Sequence, residues 1–559
     1  MAGRSDADNE APEAIGVSRR AIVRGAARGA LAGSAGLSVS GLFDLNAART
    51  MAQTLGNTPS QGTSEPRPVT FEALAQQAER LAAEPYRASS SDLPQELAAL
   101  DYDAFQAIRL RPEATVPLGP RFSMQPFHRG NLHAKRVEIF FQSPEGVRPF
   151  AYDPGLFDLG PALQGRRYSP TLGYAGFRIA TSFDASRPQS HEEFLVFLGA
   201  SYFRIRGRDQ VYGLSARGVA VNTGLPQGEE FPDFTSFWIE EPRGDAASIT
   251  ILALLDGPSL TGAYRFNVTP GDPSTVAVET ALFPRRAIAA LGLAPLTSMF
   301  LFGENGPGAR GSEPFDDFRP QVHDSDGLVV QTPGDRLWRP LVNGRAAPQI
   351  SSFRVSPLEG FGLLQRERHF AAYLDVQARH EDRPGLWVTP KGDGFAAGAV
   401  RLFEIPSRTE ATDNIVAAFV PEAPVEAGRT LRLAYTLTTV GSEPAAALAP
   451  PLARVVSTRV GSAERLRPTN PPSPRRRLYV IDFEGPALPD DPNAAIDVAL
   501  SASAGALVEP YAERVPQTGG WRLYAEFRPP EPWPAGDVVL RARLSHAGRV
   551  ITETWDAVA

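Results

Sequence analysis

Along most of this chain the hydrophobic positions recur every second residue. Ser248-Ile-Thr-Ile-Leu-Ala-Leu-Leu255, Ala263-Tyr-Arg-Phe-Asn-Val268 and Thr430-Leu-Arg-Leu-Ala-Tyr-Thr-Leu437 each have Gly, Pro or Asp close to their ends. This is the pattern of a β-strand, whose successive side chains point to opposite faces. One segment near the start differs. Phe71, Leu74, Ala75, Ala78 and Leu81 fall at helical spacing, Thr70 is placed to cap the first turn, and Pro85 stands just past the end. A helix is predicted there, and strands and turns almost everywhere after it. The 50 Gly and 52 Pro are spread through the chain rather than gathered in tracts, as many tight turns require. The fold class is therefore all-β.

The pattern lapses in two places. Residues 53–68 are rich in Ser, Thr, Gly and Pro and read as a disordered connector. Residues 441–452, which include GSEPAAALAPP, read as a linker between a large domain over 69–440 and a small one over 453–559. In the small domain Leu478–Phe483, Trp521–Phe527 and Asp537–Leu544 are predicted strands. Trp521, Leu523, Ala525 and Phe527 share one face, with Arg522, Tyr524, Glu526 and Arg528 on the other, wetted one. The domain's size suits an immunoglobulin-like sandwich without the Cys pair. Arg475-Arg-Arg477 reads as solvated loop charge.

Residues 1–52 carry an address. Ser18-Arg19-Arg20-Ala21-Ile22-Val23 precedes a mildly apolar stretch from about Gly29 to Phe43, with Ala47, Ala48 and Ala52 near a cleavage site. This is a twin-arginine export signal, and the mature chain is expected to begin near residue 53. The apolar run is too short for a membrane span. The absence of cysteine suits an oxidising compartment and excludes thiol chemistry and a lipoprotein anchor. Residues 1–52 hold six basic and five acidic side chains, so removing them takes the formal net charge from −7 to −8. A mildly acidic surface argues against nucleic acid and anionic lipid as partners.

Leu198 to Pro242 mixes strand alternation with aromatics, arginines and paired carboxylates. That mixture fits a carbohydrate groove, in which rings face sugar C–H groups and charged groups bind hydroxyls. On composition alone it fits better a sandwich edge whose Tyr202, Phe203, Tyr212, Phe234 and Trp238 are core. The seven histidines are scattered, with no HExxH, so no metal or other cofactor is expected. No usable GxSxG or phosphate-binding loop is present. Carboxylates in turn-like segments are plentiful: Glu229, Glu230, Glu240, Glu241, Asp256, Asp324, Asp326, Asp375, Asp382 and Asp413. Two such groups, one protonated and one ionised, are what glycoside hydrolysis needs, but spacing alone does not choose the pair.

Several blocks together resemble the periplasmic glucan biosynthesis protein G/D family, glycoside hydrolase family 186. They include Gly199-Ala-Ser-Tyr-Phe-Arg204, Gln210-Val-Tyr-Gly-Leu-Ser-Ala-Arg-Gly218, Phe237-Trp-Ile-Glu240, Ala294-Pro-Leu-Thr-Ser-Met-Phe-Leu-Phe-Gly303 and His323-Asp-Ser325. Trp338-Arg-Pro340, Gly360-Phe-Gly-Leu-Leu-Gln-Arg366, Trp387-Val-Thr-Pro-Lys-Gly392 and Thr412-Asp-Asn-Ile-Val416 continue the match. The resemblance implies a large N-terminal β-sandwich of the type found in carbohydrate-active enzymes, followed by a small immunoglobulin-like β-sandwich. It implies a periplasmic protein acting on β-1,2-glucan as an inverting endo-glucanase or a transglycosylase, with Asp413 as general acid and Asp324 as general base acting through a relay. Inversion requires carboxyl groups held roughly 6.5–9.5 Å or more apart. Asp413 would keep its proton through desolvation under a bound glucan, while Asp324 stays ionised. By residue type, Tyr202, Trp238, Trp338, Phe361 and Trp387 are expected as sugar platforms and Arg204, Arg217, Arg366 and Arg383 as hydroxyl donors. His323 is expected to pack. The twin-arginine signal points to the D branch, and the remaining expected partners are a second copy of the chain and the glucan synthesis machinery. One block departs from the family: Gly392-Asp-Gly-Phe-Ala-Ala-Gly398 lacks the Trp that relatives commonly carry, which bears on chain-length preference and water access. The competing reading is a non-catalytic glucan-binding scaffold.

Overall fold

A computed structural model describes residues 68–88, 92–184, 186–187, 191–304, 315, 317–343, 347–441, 451–465, 468–469 and 476–559. The export signal expected over 1–52, nearly all of the 53–68 connector and most of the 441–452 linker lie outside these residues.

The predicted helix is present as Phe71–Ala82, with the Thr70 hydroxyl accepting from the Ala73 N–H at 3.2 Å. Phe71, Leu74, Ala75 and Ala78 are buried. They cover Trp238, Leu252, Leu254 and Phe283 on the outer face of a large sheet, and burial of each large side chain stabilises by about 1.5–3 kcal/mol. This helix answers the problem of a sheet whose two faces are both apolar.

Two sheets make the body of the molecule. The first, of eleven strands, runs in the spatial order Val116–Leu118, Phe122–Phe127, Gly176–Thr181, Glu192–Leu198, Tyr202–Ile205, Ser215–Arg217, Leu291–Ser298, Ile415–Pro421, Gly398–Glu404 and Gln349–Val355, with Val219–Val221 also on Leu291–Ser298. The second includes Glu138–Ser143, Asp233–Glu240, Ile249–Asp256, Leu260–Thr269, Thr275–Pro284, Leu431–Val440, Gly385–Lys391, Gly360–Leu364, Gly327–Thr332 and Asp335–Pro340. Their inner faces meet in one core that includes Phe203, Leu296, Ile415 and Phe419 from the first sheet and Phe237, Ile251, Phe266 and Phe361 from the second. The strands predicted from 248, 263 and 430 are all found; the first is shifted by one residue, and the other two run on by a few residues where pairing continues into less regular sequence.

The C-terminal residues form a second sandwich. Arg454–Ser462, Arg477–Glu484, Trp521–Arg528 and Ala506–Arg514 make one sheet. Its partner, Ile496–Ala502, Val539–His546 and Thr554–Val558, is continuous with the large sheet, because Thr554–Val558 pairs in parallel with Asp335–Pro340. The two sandwiches therefore share fifteen strands of one sheet. Pattern along the chain gives each strand but not its distant partner. An open edge at Asp335–Pro340 would expose unpaired backbone groups, and this pairing covers it.

A buried ion pair crosses the same junction. Arg366 donates to both carboxylate oxygens of Glu553 at 2.5 and 3.1 Å and to the Val455 carbonyl at 2.7 Å. Its guanidinium lies 3.7 Å above the Trp338 ring. The alternation of Trp521–Arg528 is as predicted, with one exception. Glu526 is buried, because Arg476 and Arg528 both donate to its Oε1. Arg476 is correspondingly buried against Glu526 and Glu464 rather than solvated. The turn that departs from the family, Gly392–Phe395, places Phe395 in the core against Phe419 and Tyr435.

Removing one member of a buried, hydrogen-bonded ion pair costs about 3–5 kcal/mol. Glu553→Ala is expected to lose that much in urea unfolding followed by tryptophan fluorescence; a loss under about 1 kcal/mol would show that the junction does not rest on this pair.

Candidate functional site

Both candidate acids hang from one strand. The Ser298 carbonyl accepts the Asn414 N–H at 3.1 Å, and the next carbonyl, Met299, accepts the Asp324 N–H at 2.9 Å. Successive carbonyls of an extended chain point to opposite sides, so the Asp413 and Asp324 segments flank the strand. Neighbouring strands are about 4.8 Å apart, which puts these two backbones about 10 Å from each other. The Asn414 side chain fixes the arrangement by accepting from the Phe300 N–H at 2.9 Å and donating to the Phe300 and Ile405 carbonyls, each at 3.0 Å.

Asp324 is fully buried. Its Oδ1 accepts from Arg383 Nη1 and lies 3.3 Å from His380 Nδ1. Arg383 is itself held by the Ala378 carbonyl at 2.9 and 3.0 Å. Gly213 passes so close that a Cβ there would sit 2.9 Å from the Arg383 Cβ. Burial pushes the His380 imidazole down to about 4, so it is neutral near pH 7. His323 is likewise pushed down to about 4 by burial. It stacks on Phe300 at 5.3 Å and bonds Gln365 and Gln321, each at 2.9 Å, a packing role.

Asp413 is half-buried and sits near an aromatic and a cation. Its charge is felt by both the Tyr202 hydroxyl and the Arg217 guanidinium. Arg217 lies 4.6 Å over the Tyr202 ring and donates to Glu229 at 2.6 Å and to the Thr297 hydroxyl at 2.7 Å. Burial pushes the Tyr202 hydroxyl up to about 12. Tyr202 and Arg204 alternate with Phe203 and Ile205, which are core, so the first pair faces outward from the first sheet. The segment from Gly213 to Arg217 thus runs from the Arg383–Asp324 pair to the surroundings of Asp413. Between them, the buried Ser215 hydroxyl has no hydrogen-bond partner among the described residues, and neither does His380 Nε2.

The structure brings Asp413 near Tyr202 and Arg217 and, separately, joins Asp324 to Arg383. Arg204 is buried on the same outer face as Tyr202 and close enough to His133 for its charge to act there. Five expected binding residues lie elsewhere. Trp238 stacks on Phe140 beneath the helix, and Phe361 is in the central core. Trp387 and Trp338 lie over Gly360 and Gly327, where a Cβ would come within 2.3 and 2.1 Å of the rings. Trp338 and Arg366 belong to the junction between the sandwiches. Among the other carboxylates, Glu230 is engaged by Ser259 and Arg286, Asp256 by Arg285 and Asp382 by Arg379. Sequence reasoning gave no role to His380, Ser215, Thr297 or Asn414; the last three stand inside the family's motif blocks, whereas His380 carried no signal. Among the described residues no cluster of His, Asp or Glu could hold a metal ion, and no helix is long and apolar enough to cross a membrane.

These features define an all-β double sandwich in which the segments carrying two carboxylates are hydrogen-bonded to adjacent backbone carbonyls. The chain belongs to the family described as periplasmic glucan biosynthesis protein, MdoG, whose model matches residues 69–558. It is similar to the glucans biosynthesis protein G of Shewanella frigidimarina, at 42% identity over 86% of this chain and 82% of the relative. The proteins of the same name from Ralstonia nicotianae and Vibrio cholerae serotype O1 are 40% and 41% identical over 86% of this chain, covering 94% and 84% of their own lengths. It is therefore a protein of a periplasmic family, with a role in glucan biosynthesis.

Four histidines, His128, His133, His323 and His380, are each pushed down to about 4, in every case chiefly by burial. In the unfolded chain they would protonate near 6.5, so below that pH the unfolded state binds more protons and stability falls with pH, by up to about 1.4 kcal/mol per unit for each group. Asp326, pushed up to about 6 by burial, and Asp233 and Glu304, also raised by burial, act in the opposite sense but are three groups against four. Tm is expected to fall between pH 7 and pH 5, most steeply below 6.5, by scanning calorimetry; a flat or rising Tm would contradict the neutral, buried histidines.

Proposed function

We propose that this protein acts on the β-1,2-glucan backbone of periplasmic glucans as an inverting endo-glucanase or glucan transglycosylase, with Asp413 as general acid and Asp324 as general base. The attachment of both acidic segments to the adjacent Ser298 and Met299 carbonyls carries this reading. It sets the two backbones about 10 Å apart, a spacing that suits a sugar and a water between their carboxyl groups. Asp413, half-buried beside Tyr202 and Arg217, is the group a glucan chain on the outer face could reach. Asp324 is buried and ion-paired with Arg383, so it takes a proton only through a carrier, which agrees with a relay. The Ser215 hydroxyl and His380 Nε2, buried without hydrogen-bond partners among the described residues, are groups such a relay could use. Asp413 would protonate the departing glycosidic oxygen, water or a sugar hydroxyl would attack from the opposite face, and the attacking proton would pass to Asp324.

The twin-arginine motif at residues 18–23 supports folded export to the periplasm and the D branch, although the relatives named above are G proteins. Membership of a glucan biosynthesis family is the support for contact with the synthesis machinery. The second reading, a glucan-binding scaffold, draws on one observation. Asp324 Oδ1 is already engaged by Arg383 and lies beside His380, and the residue is fully buried.

General acid–base catalysis contributes about 10²–10⁴-fold. Asp413→Asn and Asp324→Asn are each expected to lower release of oligosaccharides from linear β-1,2-glucan by at least about 100-fold while glucan binding by calorimetry stays near wild type. Product NMR should show the inverted anomer. Binding without cleavage by the wild type, or cleavage untouched by Asp413→Asn, would leave the scaffold.

A further inference from the structure

Arg319 stands at the centre of a network that reaches both acids. It donates from Nε and Nη2 to Asp317 at 2.9 and 2.7 Å, and from Nη1 to Asp375 and to Glu410, both at 2.9 Å. The four side chains are largely buried, 11% exposed for Arg319 and 17%, 17% and 24% for the carboxylates. One guanidinium therefore holds three carboxylates from three separate segments.

Two of those segments lead to the candidate acids. The other oxygen of Asp375 accepts from the Gln377 and Ala378 N–H groups at 3.0 and 2.9 Å, which shapes the turn that presents the Ala378 carbonyl. That carbonyl holds Arg383, and Arg383 holds Asp324. Glu410 lies three residues before Asp413, in a loop pinned at its start where Asn343 joins the Ser407 and Leu301 carbonyls at 2.8 and 2.9 Å. We propose that Arg319 is a positioning residue that fixes the separation of Asp324 and Asp413 by joining the Asp375 turn to the Glu410 loop. This rests on the glucanase or transglycosylase reading above.

Electrostatics make the role specific. Without the guanidinium, three carboxylates face one another in a site with little water, and like charges there repel strongly. The Asp375 turn and Glu410 loop then separate, taking the acids out of register, and a misplacement of about 1 Å can cost about 100-fold in rate. A lysine supplies one point charge and cannot span all three partners.

The test uses the mature chain and linear β-1,2-glucan. Arg319→Met is expected to lower kcat by about 10- to 100-fold with KM little changed, and Arg319→Lys to fall between it and wild type. Wild-type kcat in Arg319→Met, or an effect on KM alone, overturns the proposal. Should Arg319→Met fail to fold, Arg319→Lys with native Tm decides the matter by the same kcat. Should the wild type not cleave glucan, the catalytic reading fails by itself. The latch is then judged by hydrogen exchange, which Arg319→Lys should speed in residues 375–379 and 407–414 but not in the 71–82 helix; unchanged exchange there overturns it.

Discussion

The two neighbouring carbonyls at Ser298 and Met299 are the constraint on which the candidate chemistry depends. A β-strand in the middle of a sheet must satisfy its backbone groups on both sides, and here its last hydrogen bonds are given to the two segments that carry Asp413 and Asp324. The backbones that carry the acids owe their spacing to the width of a sheet, and the Arg319 contacts tie together the turn and loop that lead to them. The core beneath, where Leu296, Ile415 and Phe419 pack against the opposing sheet, makes that width rigid.

The two acids meet unlike surroundings. Asp324 is enclosed with a cation and a neutral imidazole, whereas Asp413 sits at an outer face beside an aromatic ring and a paired arginine. Such a division suits the proposed roles, a donor within reach of substrate and a partner reached only through a relay. The continuous sheet between the two sandwiches extends this rigidity. Arg366, Glu553, Trp338 and Trp555 bind the small sandwich to the edge of the large one, so the C-terminal residues form part of the scaffold behind the site.

Local structure was legible because it is local. The period of two gave the strands, and Thr70, Phe71, Leu74 and Ala78 gave the helix with its cap. Which aromatics line a groove was not. Trp238, Phe361 and Tyr202 all occupy strand positions, and alternation tells which side a residue takes but not whether that side meets the core, a helix or open space. Arg366 and Arg383 look alike in sequence too, yet one braces a junction and the other holds Asp324. The pair of acids came only from the family's motifs, since no spacing in the chain shows that residues 324 and 413 flank one strand. His380 and Arg319 were invisible for the same reason: their partners lie far along the chain or in loops without a pattern.

The most direct measurement is a crystal structure of the Asp413→Asn protein soaked with linear β-1,2-glucan. The account predicts sugar density on the outer face that carries Tyr202 and Arg217, with a glycosidic oxygen within hydrogen-bonding distance of residue 413 and the strand of Ser298 and Met299 behind it. Glucan confined to the seam between the sandwiches, lined by Phe300, Trp338 and Ser457, or bound with no glycosidic oxygen near residue 413, would contradict it.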